Sequence, residues 1–158
     1  MSELEFVADQ LNRAFDGEAW HGPALMEVLE GVDAKAAAAH PIPEAHSIWE
    51  LVLHLAAWEQ VIARRIHGEA LMPSDDENFP QVQRPTDAAW REALQKLRSA
   101  HASLIQLVSA MKESRLNDQV PGKDYDLRFM LTGAAQHAAY HGGQISLLKK
   151  THHLKSTT

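Results

Sequence analysis

Apolar residues recur at helical spacing in four long segments of this chain, and nowhere do they alternate as they would in a strand. That pattern restricts the chain to all-α architectures. The clearest segment is residues 47–67. Ser47 followed by Glu50 is a capping box, in which the hydroxyl and the carboxylate each satisfy a free backbone N–H at a helix start. Leu51, His54, Leu55, Trp58, Val61 and Ile62 then share one face until Gly68. Residues 4–15 place Leu4, Val7, Ala8, Leu11 and Phe15 in register before Asp16-Gly17. Residues 86–112 do the same with Trp90, Leu94, Leu97, His101, Leu104, Ile105 and Val108. A last helix is predicted from Leu127 to about Lys150, capped by Asp126 or Asp124. Lys149 and Lys150 would complement the negative end of its dipole.

Weaker signals lie between these segments. A short helix is expected over residues 24–30, with Pro23 near its first position, where the missing N–H costs nothing. The alanine-rich residues 32–39 have room for another turn. His40-Pro41-Ile42-Pro43 reads as extended chain. Residues 68–85 hold Pro73, Pro80, Pro85 and the acidic run Asp75-Asp76-Glu77, and read as a loop. A structureless stretch of that length either covers a site or is a solvated surface loop. The expected architecture is an all-α four-helix bundle with an extra short helix after the first, forming a single domain over residues 1–158.

Composition excludes several functions. A formal charge of -6 argues against a nucleic-acid binder that works by broad electrostatics. The absence of cysteine removes disulfides, thiolate metal sites and cysteine nucleophiles, leaving histidine and carboxylates as the strong ligands. No apolar run reaches membrane-spanning length, and the acidic residues 2–5 lack the basic-then-apolar pattern of a leader, so a cytoplasmic protein with no membrane partner is expected.

Three histidines interrupt the apolar faces. His54 sits in the stripe of the second long segment, while His137 and His141 lie four residues apart and share a helix face. With ten histidines in the chain, such a pair is expected by chance about half to one time. Nor is it a zincin motif, because Ala138 stands where that motif needs a glutamate. The surroundings say more. His137 and His141 break a face of Met130, Gly133, Ala134, Ala138, Ile145 and Leu148, so each points inward, where an imidazole needs a partner. Gly133 and Ala134 leave space one turn earlier, and Trp58 lies one turn beyond His54, where it can wall a pocket. The pattern alone leaves two readings open. The three imidazoles converge on a metal with an open fourth position, as in catalytic sites, or they are separate core histidines bonded to backbone, Gln136, Gln144 or Glu50. His101 reads as a satisfied core residue, and His152-His153 as an adventitious metal binder.

Two motifs extend the reading. The stretch SIWELVLHLAAWE at residues 47–59 resembles the second-helix signature of the DinB/YfiT-like superfamily, and GAAQHAAYHGGQI at residues 133–145 resembles its fourth-helix signature. Their order and separation match as well. The resemblance implies a four-helix bundle, usually homodimeric, with one divalent metal held by His54, His137 and His141. It also implies a range of activities, since relatives include low-molecular-weight thiol S-transferases, a thiol-dependent isomerase and proteins described as metal-dependent hydrolases.

The chain is therefore expected to be a metal-dependent enzyme acting on a small molecule, as a low-molecular-weight thiol S-transferase or a hydrolase. Zinc, nickel, iron and copper all suit three imidazoles. For proton transfer the sequence offers Glu59, Tyr140 and Gln144. The alternative is a non-catalytic metal- or ligand-binding helical dimer with a sensing or structural role.

Overall fold

A computed structural model describes residues 1–155, with side chains through Thr151; His152 and His153 lie outside the described side chains. The elements are α1 (Glu3–Asp16), α2 (Leu25–Leu29), α3 (Ala34–Ala38), α4 (Ile48–Ile66), α5 (Asp75–Asn78), α6 (Asp87–Ala110), a 3-10 turn (Glu113–Asn117) and α7 (Leu127–Lys155). Among the described residues there is no strand, only one antiparallel bridge between Gln119 and Asp126.

Each long helix starts where its capping chemistry puts it. Ser47 accepts from the Glu50 N–H while the Glu50 carboxylate accepts from the Ser47 N–H. Ser2 and Glu5 form the same box on α1. Thr86 caps α6 by accepting from Ala89. Of the two candidates for α7, Asp126 is the cap, accepting from the Phe129 N–H.

The bundle closes through four contacts: α4 on α6, α4 on α7, α1 on α7 and α1 on α6. Its buried apolar residues fall into two groups. One holds Phe15, Trp49, Val52, Leu55, Trp90, Leu97 and Ile145. The other holds Leu4, Leu11, Ile62, Ile66, Leu104, Val108 and Leu131. Trp49 and Trp90 anchor the first as a tilted pair with centroids 5.1 Å apart, and the Trp90 indole donates to the Val32 carbonyl. Buried along with these apolar groups are the polar side chains of Ser47, His54, Arg65, His101 and His141, and two of them, His54 and His141, belong to the site described below.

Both short segments after α1 are helical, α2 with Pro23 just before its cap Ala24 and α3 within the alanine-rich residues 32–39. Two expectations change. Residues 68–85 are not structureless: Ser74 and Glu77 form a capping box that starts the single turn α5. Helix α7 runs on to Lys155, so Lys149 is not at its end. The Lys149 ammonium instead donates to the Val28 and Glu30 carbonyls, capping the C-terminus of α2 from outside.

Candidate metal centre

Helix α4 presents His54, and α7 presents His137 and His141, to one point between the two helices. The ligand atoms of the three imidazoles lie within 4.8 Å of one another. His54 Nε2 is 2.9 Å from His137 Nε2, and His141 Nε2 is also 2.9 Å from it. His54 and His141 are buried at 5% and 7% exposure, and His137 is half-buried.

The second nitrogen of two rings fixes their tautomers. His54 Nδ1–H donates to the Asn78 main-chain carbonyl at 2.7 Å. His141 Nδ1–H donates to Gln144 Oε1 at 2.6 Å. With their only protons committed there, both rings turn Nε2 lone pairs toward His137 Nε2. A proton on His137 Nε2 satisfies one of them and leaves the other lone pair facing it. A cation at the shared point satisfies all three. Metal-bound histidines characteristically donate their remaining N–H to a carbonyl or carboxylate in this way.

Electrostatics point the same way. Burial, reinforced by the neighbouring His141 and His54, pushes His137 down to about 3. Burial also lowers His54 and His141, partly opposed by the Asn78 and Gln144 bonds. All three imidazoles are neutral at pH 7, the form that ligates. The three-histidine group can therefore hold a metal ion.

Aromatic rings wall the centre. Phe79 stacks on His54 with centroids 4.1 Å apart, and His46 stacks on Phe79 at 3.8 Å. The Trp58 indole donates to Asn78 Oδ1 at 2.7 Å, so Asn78 holds His54 through its main chain and Trp58 through its side chain. Beside His137 opens a cavity of about 270 Å³, lined also by Trp58, Gly133, Ala134, Met130, Phe129, Ile62, Tyr125 and Arg65. All three pocket residues anticipated from the sequence, Trp58, Gly133 and Ala134, line it.

The proton-transfer candidates have other placements. Glu59 faces away from the trio and accepts from His101 Nδ1 at 3.1 Å, in the core between α4 and α6. Tyr140 is 65% exposed on the outer face of α7, its ring touching only the edge of His141. Gln144 is committed to His141. Nor is His101 a satisfied core residue: it stacks on Phe15 and bonds Glu59, but its Nε2 is buried without a partner, as is Glu59 Oε2. Gln136 is exposed, and Glu50 serves the α4 cap and His40, so neither partners the trio.

Asn78, Phe79, Tyr125, Phe129 and Arg65 are residues of the site that sequence reasoning does not find. Arg65 had a readable signal. Eleven residues after His54, it returns to the same helix face after three turns, as a charge on an apolar stripe.

Fold and site together define a helical-bundle protein with a buried three-histidine group able to hold a metal beside a small apolar cavity. The family model of the DinB superfamily matches residues 19–145, and the chain belongs to that superfamily. Comparison with curated proteins and with solved structures gave no match.

Proposed function

We propose that the protein is a metal-dependent enzyme, a low-molecular-weight thiol S-transferase, with His54, His137 and His141 as the ligands of one divalent ion. The observation that carries this reading is the convergence of three Nε2 atoms, two of them with tautomers fixed by carbonyl acceptors. Zinc, nickel or iron bound there supplies a Lewis-acid position at which a thiol or a water loses its proton near neutral pH.

The lining favours thiol over water. Hydrolysis calls for a general base within reach of the attacking water, and no carboxylate lines the cavity. Glu59, which follows Trp58 in the sequence, is turned to His101. A thiol supplied from solution suits a chain with no cysteine of its own. In this reading Asn78 and Gln144 orient the ligand rings, Phe79 shields His54 from solvent, and Trp58 and Met130 seat the apolar part of the electrophile. Association as a homodimer fits the outward stripe of α7, where Phe129, Tyr140 and Leu147 are all more than half exposed; light scattering in solution tests it.

The first test is metal content by plasma mass spectrometry on untagged, dialysed protein. A background with His152→Gln and His153→Gln keeps the tail from contributing. About one metal per chain, lost in His54→Ala, is expected. Metal-loaded protein should then accelerate the reaction of glutathione or cysteine with monochlorobimane above the metal-free rate. Stoichiometric metal with no acceleration by either thiol would assign the centre to stability or sensing instead.

A further inference from the structure

Arg65 is 3% exposed and lines the same cavity as His137. Arg13, Arg64 and Arg98, which are exposed, and the half-buried Arg115 and Arg128 each have a carboxylate partner, while Arg84 and Arg91 have none among the described ion pairs but lie exposed to water. Arg65, the buried one, has none among the described ion pairs. Its Nη1 donates to the Tyr125 hydroxyl at 3.2 Å, its Nη2 donates to the Leu71 carbonyl at 3.1 Å, and the Met72 sulfur lies 3.9 Å away. Its Cζ stands 5.4 Å above the Trp58 ring. Every one of these partners is neutral, and Nε–H is buried with no acceptor among the described residues.

A guanidinium cannot discard its proton to relieve this. Burying a cation without a counter-charge is unfavourable by several kcal/mol in general, which is why buried arginines are usually paired. The fold has nonetheless placed one at the wall of a cavity whose other lining residues are mainly apolar.

We propose that the cavity binds a small organic carboxylate, its anionic end paired with Arg65, its apolar body against Trp58, Phe129 and Met130, and its far end toward His137. Two features choose the class. A single lining arginine matches a monoanion, and its planar fork matches carboxylate geometry. A volume of about 270 Å³ is at the small end for ligand pockets, so the occupant is a small molecule and not a peptide. The assignment deepens the proposed function by naming the substrate class, and rests on it only for the direction in which the ligand lies.

The probes are 4-phenylbutyrate and the uncharged 4-phenylbutan-1-ol, titrated by calorimetry into the full-length protein as purified and after chelation. The acid is expected to bind about tenfold or more tightly than the alcohol, the usual effect of one charge-assisted contact. The preference should survive chelation, disappear in Arg65→Met, which keeps the stem over Trp58, and persist in part in Arg65→Lys. Equal binding of acid and alcohol, or no binding of either at millimolar concentration, overturns the proposal. So does a preference that persists in Arg65→Met but vanishes on chelation, since the carboxylate would then be on the metal. Should Arg65→Met fail to fold, the Arg65 Nε–H resonance of the wild-type protein decides: it must move with the acid and not with the alcohol. Because the chelated arm needs no metal, failure of the metal reading leaves this result standing.

Discussion

Replacing Gln144 by Leu should weaken metal binding without weakening the fold. His141 Nδ1–H donates to Gln144 Oε1 at 2.6 Å, and Gln144 is half-buried one turn along the same helix. The substitution removes that acceptor and leaves all three ligand nitrogens in place. Two effects then act on the metal. The lost bond no longer holds the ring, a matter of about 1 kcal/mol for a typical hydrogen bond. The tautomer with its proton on Nε2, which cannot ligate, also ceases to be disfavoured. Outer partners of metal-bound histidines are typically worth 10–100-fold in affinity, or roughly 1.4–2.7 kcal/mol. Gln144→Glu should match or exceed the original affinity, because an ionised acceptor makes a stronger bond and raises ligand basicity. Competition against a chromophoric chelator reads the metal affinity, and urea melts of metal-free protein read the fold. An unchanged dissociation constant in Gln144→Leu would refute the reasoning and show that helix packing alone orients His141. Loss of metal-free stability by the same amount would show that the bond is structural.

Breaking the Glu59–His101 hydrogen bond from one side should cost stability: His101→Leu or Glu59→Leu is expected to destabilise by about 1–3 kcal/mol by leaving the other partner unsatisfied, while Glu59→Leu with His101→Phe together should be near neutral. A double-mutant cycle in urea measures this. Lowered imidazoles make the metal-free protein acid-sensitive. The unfolded chain takes up protons on His54, His137 and His141 below about pH 6.5, whereas the folded chain resists until nearer 3 at His137. Stability should therefore be level above pH 7 and fall as pH drops, by up to about 1.4 kcal/mol per pH unit for each such proton, and thermal melts from pH 7.5 to 4.5 follow it. A Cβ added at Gly133 meets nothing within 4 Å, so Gly133→Ala should stabilise α7 by about 0.5–1 kcal/mol and raise the melting temperature.

Much of this arrangement was legible in the sequence because it is local or periodic. The Ser47–Glu50 box and the stripe after it place His54, and a four-residue spacing places His137 and His141 together. What the sequence hides is decided across elements. Glu59 follows Trp58 by one position, yet only the packing of α4 on α6 turns it to His101. Lys149 looks like a dipole partner for its own helix until α2 is seen beneath it. Helix α5 was missed for a different reason. Ser74 and Glu77 repeat the signature of Ser47 and Glu50, but the turn they start has no apolar residue and sits between Pro73 and Pro80, so no periodicity accompanies the cap.

That small turn has a consequence for how the site can drift. The acceptor that fixes His54 is the carbonyl of residue 78, and every amino acid has one. A substitution at that position would free Trp58 from its amide partner while leaving the His54 bond intact. The positions that matter to His54 are instead Ser74 and Glu77, which touch neither the imidazole nor the cavity but decide whether residue 78 arrives at all. Mutational scans scored on metal retention should thus show tolerance at 78 and sensitivity at 74 and 77, inverting the order that distance from the centre would give.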